Sequence, residues 1–365
     1  MNILMLSWRG PNHPNAGGAE VVTHEYLKAW AKAGHQVFWF TSSVPSLPPL
    51  EVIDQIHVIR KGFQILQVQF EAILWYLFSP HPKFDLVIDQ FHGIPFFTPL
   101  FVPAKKLAFI HEVAKEVWWI NHLRFPFNYL FGAIGYIIEP FIFKLLYRRL
   151  PFLTVSQSTQ DDLIHWSIPP SNIHVIPNGV TTQPVKFSKE KTPTIIYCGA
   201  IAKDKGIQDA LVTFSLLQSV HPNWQFWVVG KGEDKYLNSL HLPHNVKFWG
   251  FVNDSKKFEL LARAHVMLNP SVREGWGLVN IEANSVGTPV VAYAVPGCRD
   301  SVKHFITGLL CPFKDTSCLA DSVRNLITNK PLYSRISTAA KSWSKEFTWA
   351  KSTKLSLKLL EYINQ

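Results

Sequence analysis

Glu274 and Glu282 stand eight positions apart, separated by Gly275, Trp276, Gly277, Leu278 and Val279 and two further residues. The surrounding pattern predicts a buried strand over Val266–Leu268, a loop, a helix from about Leu278 to Ser285 that stops near Gly287, and a second strand over Pro289–Tyr293. That places the backbone N–H groups of Gly275 to Val279 at a helix N-terminus, where no intrahelical acceptor reaches them. Such a terminus attracts anions and hydroxyl oxygens. Two carboxylates around a set of free donors suit a polyhydroxylated, anionic ligand, and a nucleotide sugar has that chemistry.

Three other places could take part. Gly17 and Gly18 precede a helix expected over Ala19–Ala33, and glycines there let a phosphate or a sugar approach the backbone closely. Their spacing is not the G-x-G-x-x-G fingerprint of dinucleotide binding, which argues against hydride transfer. His111 follows the apolar run Leu107–Ile110, and side chains at the carboxyl ends of strands are well placed for ligands in open α/β sheets. Lys205 lies in the loop from Gly199 to Gly206 after the strand Thr194–Cys198, and offers a cation to an anionic group.

The elements that would position these residues alternate along the chain. Asn2–Ser7, Gln36–Phe40, Asp85–Asp89, Leu107–Ile110 and Phe152–Ser156 read as strands in the first half, with helical stretches between them. Gln225–Val229, Val246–Trp249 and Gly308–Cys311 join the strands already named in the second half. Short apolar runs alternating with helices predict parallel sheets covered on both faces. The chain has 365 residues, 47% hydrophobic and 17% charged, enough for two domains with packed cores. The expected division is a first domain over 1–180, a linker over 181–193, a second domain over 194–345 and a C-terminal helical segment over 346–365. The four cysteines form no close pair, so neither a zinc site nor a redox motif is indicated, and no D-x-D pair offers a metal grip. The N-terminal residues read as a first strand rather than a secretion leader, which with few cysteines suits the cytoplasm.

The net charge is +10. Residues 1–180 carry 13 Lys and Arg against 12 Asp and Glu, and the remainder 23 against 14, so the cationic excess falls in the second half. No nucleic-acid motif accompanies it, and a diphosphate-bearing ligand accounts for it better than a nucleic acid. Val117–Tyr147 is rich in aromatic residues, and Phe125–Ile138 carries no charge. That run is short for a membrane span and is interrupted by Gly132 and Gly135, with Pro126 and Pro140 near its ends. It reads either as a core helix with a buried loop or as an interfacial segment facing a greasy acceptor.

The run Glu274-Gly-Trp-Gly-Leu-Val-Asn-Ile-Glu282-Ala, followed by Gly287-Thr-Pro-Val-Val-Ala, resembles the glutamate-x7-glutamate signature of the family 4 retaining glycosyltransferases, the group 1 glycosyl transferases. Gly17-Gly-Ala-Glu20, Gly34-His-Gln-Val37, Pro177-Asn-Gly-Val180 and Gly230-Lys-Gly232 extend the likeness over nearly the whole chain. The resemblance implies the GT-B fold: α/β, two facing Rossmann-like domains with a cleft between them, the tail crossing back onto the first. It implies a nucleotide diphosphate sugar as donor and a glycan or lipid-linked acceptor. Donor binding would fall to Gly17, Gly18, Gly199, Lys205, Gly275, Trp276, Gly277, Leu278, Val279 and Glu282. His111, Lys205 and Glu274 would surround the transferred sugar and its leaving diphosphate, with no cofactor and no metal. In the family an arginine commonly stands where this chain has Ala200, so one expected cation is missing. A non-catalytic nucleotide-sugar or polysaccharide binder and a nucleotide-sugar epimerase on the same scaffold are the competing readings. The expected place is the cytoplasm, at the inner face of the membrane if the aromatic segment is interfacial.

Overall fold

The computed structural model describes residues 1–64, 66–121, 123–182 and 187–365. Of the expected linker, residues 183–186 lie outside the described residues. Contacts divide the chain into two units, Met1–Gly179 with Trp349–Gln365, and Val180–Thr348.

The first unit contains β1 (Asn2–Leu6), α1 (Gly18–Lys32), β2 (Gln36–Thr41), β3 (Leu50–Ile53), β4 (Ile56–Arg60), α2 (Gln67–Phe78), β5 (Leu86–Gln90) and β6 (Lys105–Ile110). After these come α3 (Phe127–Ile142), β7 (Phe152–Thr154), α4 (Gln157–His165) and β8 (Ile173–Val175). Its sheet runs β3-β4-β2-β1-β5-β6-β7-β8 among the described residues. Every pairing is parallel except β3 with β4, which form a hairpin. Central strands such as β5 are buried along their whole length, which is why they read as continuous apolar runs.

The second unit contains β9 (Thr194–Cys198), α5 (Ile207–Val220), β10 (Gln225–Val229), α6 (Asp234–Leu237), β11 (Val246–Gly250), α7 (Asp254–Arg263) and β12 (Val266–Asn269). Then follow α8 (Leu278–Ser285), β13 (Val290–Tyr293), α9 (Cys298–Ser301), β14 (Gly308–Cys311), α10 (Thr316–Thr328) and α11 (Lys330–Ser344). Among the described residues its six strands are all parallel, in the order β11-β10-β9-β12-β13-β14. Counted from β9, that is 3-2-1-4-5-6, the order of a doubly wound sheet whose chain reverses direction between β9 and β12.

The last helix, α12 (Trp349–Asn364), belongs to the first unit. It lies on α1 through two buried polar pairs: Tyr26 Oη with Ser352 Oγ at 2.8 Å, and Trp30 Nε1 donating to Ser356 Oγ at 3.0 Å. These satisfy aromatic N–H and O–H groups that burial would otherwise strand.

The segment Val117–Tyr147 departs from the expected pattern. It forms a short helical stretch, Lys115–Ile120, and then α3, which continues through a wider turn, Phe143–Tyr147. Phe127–Tyr147 is thus one helix of 21 residues, long and apolar enough by length and composition to cross a membrane. Pro140 does not end it. The helix runs through it and then widens over the turn Phe143–Tyr147. The segment is not core either: only about a fifth of its most apolar stretch is buried.

Candidate active site

In the second unit, the loops after β9 and β12 leave the sheet on either side of the point where the strand order reverses. In open α/β sheets this crevice beyond the carboxyl ends of the strands is where ligands bind. The first loop carries Gly199 and Lys205, the second Glu274 to Gly277. The two loops are joined: the Val272 N–H donates to the Asp204 carbonyl at 2.8 Å. Gly206, which starts α5 at φ +70°, makes the approach feasible, since a Cβ there would lie 1.9 Å from the Pro270 carbonyl oxygen. Lys205 is thereby brought to Glu274, with Nζ 3.1 Å from Oε1.

Glu274 is further fixed from behind. Ser271 Oγ lies 2.8 Å from Glu274 Oε1 and 2.7 Å from Asn269 Oδ1. Asn269 Nδ2 donates to Asn280 Oδ1 at 2.9 Å, and Asn280 Nδ2 to Ser301 Oγ at 2.9 Å. Asn269, Ser271, Asn280 and Ser301 are all buried. Buried chains of satisfied hydrogen bonds hold their members in one geometry, so the carboxylate is set on a rigid support.

α8 starts after Gly277, as the sequence predicts; the Leu278 and Val279 N–H groups lack intrahelical acceptors by position, whereas the Asn280 N–H donates to the Gly277 carbonyl at 2.9 Å. Leu278 and Val279 are half-buried there. Trp276 is different: its ring is buried against Phe347, centroids 5.0 Å apart, so only its backbone is available to a ligand. Glu282, one turn further along α8, is engaged by Lys257 of α7, Nζ to Oε1 2.8 Å, and Lys257 also reaches Asp254 at 3.0 Å. Burial alone would lower the Lys257 pKa, but Glu282 and Asp254 outweigh it and push the ammonium's pKa up, so the cation persists. Lys257 carries no signal in the sequence, being 25 residues from its partner. Ala200 is exposed, and its carbonyl accepts from Tyr197 Oη at 2.6 Å.

In the first unit, Gly17 and Gly18 begin α1 in the loop after β1, both exposed. The Gly17 N–H donates to Glu20 Oε2 at 2.6 Å, so a carboxylate of the chain already sits at that helix end. His111 follows β6, as expected, and its Nε2 accepts from Gln90 Nε2 at 2.9 Å. Gln90 Nε2 also donates to Thr23 Oγ1 of α1 at 2.7 Å. One hydrogen-bond chain therefore connects α1 to His111, and neither Gln90 nor Thr23 was singled out by sequence. Burial, and secondarily the nearby His92, push the His111 imidazole's pKa down to about 3. His111 is neutral near pH 7, with the Nδ1 proton free to donate.

Two doubly wound units with a cation–carboxylate pair at a switch point define a class, and solved structures place it. Over 99% of this chain and 98% of the other, the fold matches sucrose-phosphate synthase of Thermosynechococcus elongatus with a TM-score of 0.79 at 19% identity. HepE of Anabaena, solved in complex with UDP and glucose, matches with a TM-score of 0.73 at 18% identity, over 99% of this chain and all of that one. The fold is that of the GT-B glycosyltransferases. The model described as glycosyl transferases group 1 matches residues 181–343, and that described as glycosyltransferase family 4 matches residues 16–184. Glycogen synthase of Mycobacterium tuberculosis is 24% identical over 96% of this chain and 92% of its own length. The chain belongs to the group 1 glycosyltransferases of the GT4 type.

Proposed function

We propose that this protein is a retaining hexosyltransferase that moves a sugar from a nucleotide diphosphate sugar to a glycan or lipid-linked acceptor without a metal ion. The observation that carries the reading is the Lys205–Glu274 pair, held at 3.1 Å beside the N-terminus of α8. The donor diphosphate would take the place beside Lys205 that Glu274 now shares. Negative charge growing on the leaving diphosphate is then met by the Lys205 ammonium and the first N–H groups of α8. Charge met by fixed donors needs no reorganisation as the bond breaks. Glu282 accepts the ribose hydroxyls; burial pushes its carboxyl pKa up, and the Lys257 ammonium opposes that rise and orients the group. In the first unit, neutral His111 offers a hydrogen bond from Nδ1 to a hydroxylated ligand. The UDP and glucose bound in HepE, a protein of the same fold, support a nucleotide sugar as the ligand.

The reading assigns the diphosphate charge to the Lys205 ammonium and the first N–H groups of α8. The test is a thermal-shift panel of UDP, GDP, ADP and their sugars, followed by donor hydrolysis with and without EDTA. A ligand that binds the native state raises its stability by mass action. Stabilisation by one nucleotide, with turnover indifferent to EDTA, supports the proposal. Turnover lost to EDTA and restored by Mg²⁺ or Mn²⁺ removes the metal-free mechanism.

The exposed Ala200, where the family commonly has arginine, favours a second reading: a nucleotide-sugar binder without transfer activity. Binding without hydrolysis or transfer would select it. A changed sugar recovered from the nucleotide sugar alone would instead reveal an epimerase.

A further inference from the structure

Among the described residues, the helix Phe127–Tyr147 leaves a row of large apolar side chains exposed. Along Phe127–Tyr147, Phe127, Leu130, Ile134, Ile137, Phe141 and Leu145 are all exposed, from 46% for Ile134 to 77% for Leu145. At about 100° per residue these side chains, with the exposed Phe131 and Ile138, fall within an arc of roughly 120°. Contiguous exposed apolar surface of this kind marks an interaction site.

The opposite side of the helix is fastened to the unit. Buried Glu139 accepts from the Ala114 and Lys115 N–H groups at 2.8 and 3.0 Å, and from Trp118 Nε1 at 2.8 Å. Gly135 lies so close to Trp118 that a Cβ would sit 2.3 Å from its ring. Tyr147 Oη donates to the fully buried Asp89 at 2.6 Å. Crossing a bilayer would require all of these to break. The helix is therefore built to lie along a surface.

Its flanks say which surface. Exposed Tyr129 and Tyr136 lie roughly 80–100° beyond one edge of the arc, toward the side that faces the unit, and such rings favour the boundary between hydrocarbon and water. Arg124 precedes the helix, Lys144 lies on it, and Arg148 and Arg149 follow it, all exposed, against the single exposed acid Glu116 from Lys115 to Arg149. Across a two-fold axis this rim would set cation against cation, because a two-fold interface uses the same patch twice. Anionic headgroups give each cation a counter-charge. The same layer adds a second apolar row. Phe70, Leu74, Leu77 and Phe78 of α2 are exposed. The buried sides of α2 and of Phe143–Tyr147 pack on Leu6 and Ala108, which share Asp89 as strand partner and so face the same way.

We infer that Phe127–Tyr147 is a monotopic membrane anchor, lying in the interfacial plane of an anionic bilayer with its apolar arc toward the acyl chains. It is independent of the transfer reaction, since lipid binding reads no chemistry.

The test is flotation of the full chain with vesicles of phosphatidylcholine alone and with phosphatidylglycerol added. The protein should float with the anionic vesicles. Ile137→Glu with Phe141→Glu should leave it in the dense fraction with circular dichroism and nucleotide affinity unchanged. Should that pair not fold, Phe127→Glu alone serves. Lys144→Gln with Arg148→Gln and Arg149→Gln should weaken anionic binding on the order of a hundredfold. A wild-type chain that stays dense with both vesicles overturns the inference. So does a chain that self-associates without lipid, loses self-association in the Ile137→Glu, Phe141→Glu variant and floats with neither vesicle.

Discussion

Replacing Gly206 by alanine tests how the candidate site is assembled, without relying on any substrate. Gly206 stands at φ +70° and ψ +25°, a left-handed conformation that costs a residue with a Cβ about 1–2 kcal/mol. A Cβ there would also lie 1.9 Å from the Pro270 carbonyl oxygen and 2.6 Å from its carbon. Those are backbone atoms, so relief requires the two loops to separate. Separation removes the Val272–Asp204 hydrogen bond, worth about 1 kcal/mol, and adds overpacking strain of about 1–3 kcal/mol. The expected loss is about 3–6 kcal/mol. Gly250 is the matched control. It lies in the same unit at φ +66°, and nothing comes within 4 Å of its Cβ position, so Gly250→Ala should cost only the conformational part, about 1–2 kcal/mol. Urea unfolding of both variants, followed by tryptophan fluorescence and by ligand-dependent shifts to assign the second unit's transition, measures the difference. Gly206→Ala should also weaken nucleotide binding, because Lys205 moves with the loop. If Gly206→Ala costs no more than Gly250→Ala, the two loops are not held against each other as described, and the Lys205–Glu274 pairing fails with them.

Glu282→Ala should weaken nucleotide affinity by about 1.5–3 kcal/mol, the value of a charge-assisted hydrogen bond, while Lys257 retains Asp254 and the fold survives; titration calorimetry with the preferred nucleotide reads this. Glu274→Ala should chiefly lower turnover, and steady-state kinetics that change only KM would contradict the role given to it. Ala200→Arg should tighten donor binding by roughly 1–2 kcal/mol, since a guanidinium can pair two phosphate oxygens; unchanged affinity would mean that another cation already fills that place. His111 makes stability depend on pH. Its pKa is lowered on folding from 6.5 to about 3, so below 6.5 the unfolded chain binds the extra proton, and the stability present above 6.5 is lost as pH falls. Between pH 6.5 and 5 the wild type should lose about 1–2 kcal/mol more than His111→Gln, and equal acid sensitivity of the two would count against a buried neutral imidazole.

Much of the scaffold is written locally. The strand before the glutamate loop and α8 are legible because an apolar run and two glycines, Gly277 and Gly287, punctuate residues 266–287 without help from the rest of the chain. Local signals also miss elements: the β3–β4 hairpin went unread because β3 is a half-exposed edge strand and its turn, Asp54-Gln55, carries positive φ angles without a glycine. What the sequence by itself determined is therefore the alternation of elements, the family likeness, and which residue types stand at the ends of strands. Only the tertiary structure decided the partners. Lys257 reaches Glu282 from another helix, Gln90 reaches His111 from the neighbouring strand, and Lys205 meets Glu274 because the strand order reverses between β9 and β12. These pairings depend on which strands lie side by side, and no spacing along the chain encodes that. The aromatic segment shows the same division most plainly. Its apolar composition is the same whether it faces a core or a bilayer, because hydropathy counts a side chain's own transfer preference and not the neighbours that cover it. Only the folded chain, with Glu139 and Tyr147 fastened inward, leaves Phe127, Ile137 and Phe141 facing outward.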